Sequence, residues 1–143
     1  MMKFLVMHAE SLVAVWQNRT REDATKRLEK LKIRLHEQNL SSWADIKIEP
    51  VKSPVVRHIK NINKRNPAYL YIGRGSKWGN PYVMQTREDR EKVIDKYEQM
   101  ILSNQELLGK LHELNGKTLG CYCYPLKCHG DILVKLFQEK FVL

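Results

Sequence analysis

The chain opens on an apolar run, Met1-Met2-Lys3-Phe4-Leu5-Val6-Met7, interrupted by Glu10. Its length and apolar density predict a buried strand. Ser11-Leu12-Val13-Ala14-Val15-Trp16 predicts a second strand, hairpinned to the first. The pattern then changes. Thr20-Arg21-Glu22-Asp23 places a capping hydroxyl three residues ahead of an acid, which is a helix-opening signal. Beyond it Ala24, Leu28, Leu31 and Leu35 recur at four-three-four spacing, the single apolar face of a helix running to Gln38. Lys26, Arg27, Lys30, Lys32 and Arg34 cover much of the remainder. Asp45-Ile46-Lys47-Ile48-Glu49 alternates and predicts a strand that Pro50 ends.

The stretch 52–66 carries Lys52, Arg57, Lys60, Lys64 and Arg65 and no acid, and predicts an exposed strand and loop. Tyr69-Leu70-Tyr71-Ile72 is a further strand. Thr86-Arg87-Glu88-Asp89 repeats the capping signal and opens a helix that buries Val93, Ile94, Tyr97, Met100 and Ile101. A second helix over 105–114 aligns Leu107, Leu108, Leu111 and Leu114, and Asn115-Gly116 stops it. The stretch 117–123 is a strand, and a last helix over 131–140 buries Ile132, Leu133, Leu136 and Phe137. Strands alternating with helices predict an α/β or mixed α+β fold, small and three-layer-like. Residues 1–52 are expected to form an N-terminal β/α extension packed on the rest, and 53–143 the main domain.

Composition narrows the setting. The 143 residues hold three cysteines, an odd number that argues against a secreted disulfide framework and for reduced thiols in a cytoplasm. No run of about 18 apolar residues occurs, and the opening segment lacks a cleavage site, so neither a membrane span nor a signal peptide is expected. The formal net charge is +9. Residues 1–66 hold 14 Lys+Arg against 7 Asp+Glu, and 67–143 hold 11 against 9. Such an excess attracts nucleic acid or an acidic protein partner, and equally serves solubility. No base-reading motif accompanies it, so any nucleic-acid binding is expected to be weak, non-specific and lost at physiological salt.

Two loops carry the candidate chemistry. Gly73-Arg74-Gly75-Ser76-Lys77-Trp78-Gly79-Asn80-Pro81 combines glycines, which let a backbone approach a ligand, with two cations. It is neither a Walker loop nor a dinucleotide fingerprint. Gly73, Arg74, Ser76, Lys77, Trp78 and Asn80 are the candidate ligand-binding residues: the cations for phosphate or carboxylate, Asn80 for a phosphate or base, and Trp78 as a stacking face or, alternatively, a core plug. The second loop, Gly120-Cys121-Tyr122-Cys123-Tyr124-Pro125-Leu126-Lys127-Cys128-His129-Gly130-Asp131, holds every cysteine of the chain. On a strand Cys121 and Cys123 face one side.

Three readings of this cluster stand side by side. Cys121, Cys123, Cys128 and His129 supply the donor types of a zinc site, at a spacing unlike a common finger or ribbon, so no cofactor is expected and zinc is the one candidate. Alternatively Cys128, His129 and Asp131 are catalytic. Cys128 would then be a thiolate favoured by a helix N-terminus, His129 a proton carrier, and Asp131 its orienter or an acid or base. In the third reading the cysteines are small buried apolar groups and the protein is a binding module.

Tyr71-Ile72-Gly73-Arg74 with Trp78-Gly79-Asn80-Pro81, and Gly120-Cys121-Tyr122-Cys123 with Pro125, Cys128-His129-Gly130-Asp131 and Leu133, resemble a known family. It is the domain of unknown function DUF4326, found in bacteria and their phages. The resemblance covers about residues 55–140. It implies a shared site and supplies no reaction, and it makes a phage origin, hence a host cytoplasm, the expected setting. The function expected is binding of a nucleotide- or nucleoside-type, phosphate-bearing ligand, with enzymatic activity in nucleotide or nucleic-acid metabolism left open. The alternative is a small basic phage accessory protein that binds a host protein without catalysis.

Overall fold

The computed structural model describes residues 1–38 and 45–142. It is a mixed α+β fold with two three-stranded sheets. The chain divides into two compact units, Met1–Lys52 together with Val142, and Ser53–Phe141.

In the first unit β1 (Met2–His8) and β2 (Ser11–Asn18) form the expected hairpin, and α1 (Arg21–Glu37) and β3 (Ile46–Pro50) follow. The strands are antiparallel in the order β2-β1-β3. The hairpin turns on Ala9 and Glu10, both with positive φ, 48° and 68°. Helix α1 starts where the capping signal sits, with the Asp23 N–H donating to Thr20 Oγ1 at 3.1 Å. Its apolar face covers the sheet: Leu28, Val6 and Ile46 are buried together, with Ala14, Trp16, Leu31, Leu35 and Ile48 packed around them.

The second unit contains β4 (Val55–His58), β5 (Tyr69–Tyr71), α2 (Arg90–Leu102), α3 (Gln105–Leu108), β6 (Thr118–Cys121) and α4 (His129–Phe141). Its sheet is parallel, in the order β4-β6-β5. The apolar faces of α2 and α4 lie where the periodicity puts them. Ile94, Tyr97 and Ile101 of α2 are buried, as are Ile132, Leu133, Leu136, Phe137 and Phe141 of α4.

Three elements differ from expectation. The helix read over 105–114 is broken into α3 and a 3-10 turn, Leu111–Leu114, with Gly109 between them. Glycine loses more backbone freedom than any other residue when it enters a helix. Helix α4 begins at His129, two residues earlier than the sequence suggests, because the Asp131 carboxylate accepts the Cys128 N–H at 3.1 Å and caps the turn. Strand β6 stops at Cys121, so Cys123 lies beyond the sheet and does not share a strand face with it.

Candidate functional site

Parallel strands share a direction, so β4, β5 and β6 all end on one edge of their sheet. Ligands of open parallel sheets bind beyond the carboxyl ends of the strands. In this protein β5 runs into the glycine-rich loop and β6 into the cysteine loop, with Tyr71 paired to Gly120 at the edge. The Ile72 N–H extends the ladder to the Gly120 carbonyl at 3.1 Å. Gly120 gives β6 its closeness to β5: a Cβ there would lie 2.8 Å from the Tyr69 ring.

A cavity of about 300 Å³ opens between the two loops. Gly73, Arg74 and Asn80 line it from one side, and Cys121, Tyr122, Cys123, Lys127, Cys128 and His129 from the other. Helix α2 adds Arg90, Val93 and Ile94, and the segment leading to it adds Tyr82 and Met84. Three cations therefore face the cavity, from Arg74, Arg90 and Lys127, and none of the described residues lining it is acidic. Arg90 also fastens the cysteine loop, donating to the Lys127 carbonyl at 3.1 Å.

Not every candidate residue reaches this space. Trp78 is 1% exposed and fills the core in place of offering a stacking face. The buried Tyr97 hydroxyl donates to its carbonyl at 2.6 Å. Lys77 turns to an ion pair with Glu113. The Ser76 hydroxyl donates to the Gly73 carbonyl at 2.7 Å and closes the turn of its own loop. Gly79 packs against the same carbonyl so closely that a Cβ would sit 2.6 Å from it. Asn80 faces the cavity, but its amide is occupied. The nitrogen donates to the Val93 carbonyl at 3.2 Å, and the oxygen accepts the Tyr82 N–H at 2.9 Å. Serine, lysine, tryptophan and asparagine thus build the loop, while Arg74 alone of its cations faces the space.

In the cysteine loop the imidazole of His129 is buried, and its Nε2–H donates to the Ile72 carbonyl at 2.6 Å. A carbonyl only accepts, so the proton sits on Nε2 and a neutral ring keeps Nδ1 as its acceptor. Burial is the largest influence on His129 and holds its pKa below the usual histidine value, against smaller opposing effects from Ile72 and Asp131. The Tyr97 ring meets it edge-on at 5.1 Å between centroids. Asp131 does not orient this ring through a hydrogen bond; its carboxylate is spent on the Cys128 amide.

Cys121 and Cys128 are buried, with their Sγ atoms 3.4 Å apart. Cys128 immediately precedes α4, where the sequence points to a thiolate, yet its thiol is pushed up by proton sharing with Cys121 and by burial. Cys121 is the lowered partner, at about 6, through the Cys128 thiol and the backbone N–H groups of Tyr124 and Cys123. The thiol–thiol hydrogen bond is the largest influence on both, and the amides of Tyr124 and Cys123 add to the lowering of Cys121. Among the described residues no three His, Cys, Asp or Glu side chains are grouped to hold a metal. Of the donor candidates Cys121, Cys123, Cys128 and His129, the two buried thiols meet each other and the Nε2 of His129 is engaged by the Ile72 carbonyl.

Several cavity residues carried no flag in the sequence. Arg90 and Tyr82 sit between motifs, and only folding α2 against the loops brings them in. Lys127 lay inside the cysteine motif, overshadowed by its neighbours. Tyr122 and Tyr124 are exposed, and Arg57 lies over the Tyr124 ring at 5.9 Å.

The second unit is thus a small parallel-sheet domain with a basic, thiol-lined cavity at the carboxyl edge of its strands. The chain belongs to the family of the domain of unknown function DUF4326, whose model matches residues 55–139. An uncharacterised 12.4 kDa protein of Enterobacteria phage T4, from the nrdA-td intergenic region, is 35% identical over 98 residues, covering 62% of this chain and 90% of its own. An uncharacterised protein of Acanthamoeba polyphaga mimivirus is 34% identical over 92 residues, covering 50% of this chain and 70% of its own. No solved structure matches. No helix among the described residues is long and apolar enough to cross a membrane.

Proposed function

We propose that the second unit binds a phosphate-bearing ligand of nucleotide or nucleoside type in the cavity between its two loops. The observation that carries this reading is the charge of the lining: Arg74, Arg90 and Lys127 without a counter-acid among the described residues. Cations left facing a recess favour an anion, and an arginine fork matches phosphate oxygens. The apolar share of the lining suits the rest of such a ligand. Tyr71, Tyr82 and Tyr122 give ring faces for a base, and Val93, Ile94 and Met84 give a dry wall.

The reading is one of binding rather than turnover. His129 ties β5 to α4 through Ile72, and Asp131 ties the start of α4 to Cys128. Both are structural links before they are acid–base groups. The alternative, a basic protein acting on a host protein through residues 19–65, leaves the two loops dispensable.

Calorimetric titration of the full chain with inorganic phosphate and a panel of nucleoside 5′-phosphates tests the proposal. At least one should bind, and Arg74→Ala should weaken it about tenfold to a hundredfold, the loss of one charge-assisted hydrogen bond of about 1.5–3 kcal/mol. The absence of binding at millimolar ligand, or equal binding by Arg74→Ala, overturns it.

A further inference from the structure

We propose that Cys121 and Cys128 form a dithiol reaction site that takes a small peroxide from the cavity and closes to an intramolecular disulfide. The proposal does not depend on the nucleotide reading.

Its basis is geometric. The two sulfurs come from different elements, the end of β6 and the residue before α4, and lie 3.4 Å apart. A disulfide needs about 2.05 Å, so the sulfurs must close by about 1.3 Å. Both side chains are shielded from bulk water, Cys121 at 1% and Cys128 at 3% exposure. Yet both line the cavity, which is therefore their route to a reagent. Hydrogen peroxide is small and uncharged, and so suits a reagent that must reach two buried thiols. The Cys128 thiol, with the backbone amides of Tyr124 and Cys123, favours the Cys121 anion, which is the nucleophilic form. Arg74, Arg90 and Lys127 around the same space favour the hydroxide that must leave.

The steps balance. The Cys121 thiolate attacks one peroxide oxygen; the S–O bond forms, the O–O bond breaks, and the departing hydroxide takes the Cys128 thiol proton to give water. Cys121 is then a sulfenic acid and Cys128 a thiolate. The Cys128 thiolate attacks the Cys121 sulfur, the S–S bond forms, and the second hydroxide leaves and takes a proton from solvent. Two thiols lose two electrons, and one peroxide becomes two waters. Cys123, half-buried, keeps its thiol.

The test treats the reduced full chain with a stoichiometric amount of hydrogen peroxide, then unfolds it, counts thiols and maps peptides. One thiol of the three should remain. The map should join Cys121 to Cys128, and dithiothreitol should restore all three. In Cys128→Ser the reaction should stop at a sulfenic acid on Cys121, trapped by a cyclic dione. Three surviving thiols in the wild type, oxidation confined to Cys123, or bridges between chains would each overturn the proposal. So would a sulfenic acid trapped only on Cys123 in the variant.

Discussion

The two units of the chain each cover a three-stranded sheet, one antiparallel and the other parallel, and the parallel one delivers two loops to a cavity. In the first unit the strands are antiparallel, and β1 passes to β2 through two residues, Ala9 and Glu10. In the second unit the strands are parallel, which requires crossovers and delivers every strand end to one edge. The spare chain at that edge becomes two long loops with a cavity between them. Charge follows the same division once the boundary is set at residue 52. Residues 1–52 hold 10 Lys+Arg against 7 Asp+Glu, and 53–143 hold 15 against 9. The acid-free stretch that made the amino-terminal half look basic belongs mostly to the unit with the cavity. The family match, 55–139, is confined to that unit as well.

The largest test of this contrast is a pair of tryptophans. Trp78 sits in a site loop yet is fully buried, while Trp16 is half-buried under Arg27, whose guanidinium lies 4.3 Å from its ring. Trp78→Ala should destabilise the second unit by about 3–5 kcal/mol, the cost of emptying a large core position. Trp16→Ala should cost clearly less. The Trp78 indole N–H is buried without a hydrogen-bond partner, so Trp78→Phe removes an unsatisfied donor and should be far milder than Trp78→Ala. Hydrogen exchange resolves each unit by its own amides. Equal losses for the two alanine variants would show that the glycine-rich loop is surface, not core.

The sequence reached further in the helices than in the site. The capping residues at Thr20 and the apolar faces of α1, α2 and α4 are local signals, and the structure keeps them. Strands β5 and β6 are legible too, with β6 ending at Cys121 rather than Cys123. What stayed hidden is which side chains turn inward. Arg74 and Lys77 look alike in sequence, but Glu113, 36 residues away, claims Lys77. Asn80 looks like a ligand contact, but Val93 and Tyr82 use both ends of its amide. Cys128 looks like the thiolate from its place before α4, but its own thiol, with the amides of Tyr124 and Cys123, lowers Cys121 instead. Each of these outcomes depends on a partner supplied by tertiary structure, which no local pattern records.

A smaller test returns to the tight hairpin of the first unit. Ala9 and Glu10 hold left-handed backbone angles, φ 48° and 68°, which cost a residue with a Cβ about 1–2 kcal/mol. Asn and Gly adopt this two-residue turn more easily. Replacing Ala9→Asn and Glu10→Gly together should stabilise β1 and β2 by about 1–2 kcal/mol, read from slower exchange of their amides. The amides of the second unit should not change. Slowing in both units would show that the two share one cooperative unfolding step.

The smallest effect expected is a pH dependence seated at His129. Burial holds its pKa below the usual value near 6.5, so the folded ring stays neutral where the unfolded one has begun to bind a proton. The unfolded state then carries more protons, and stability rises with pH. The contribution is complete above the unfolded pKa. It declines as pH falls below about 6.5 and levels off once the folded pKa is passed. Gln at 129 keeps an N–H for the Ile72 carbonyl and does not titrate in this range. Denaturant unfolding of the second unit at pH 8 and pH 5 should therefore show a smaller loss in His129→Gln than in the wild type. The Cys121–Cys128 pair also titrates near this window, since Cys121 is lowered to about 6, but it is common to both proteins and cancels in the difference. An identical loss in the two proteins would mean that the buried ring is protonated in the fold. The hydrogen bond to the Ile72 carbonyl would then be charge-assisted, and the cavity would carry a fourth positive charge.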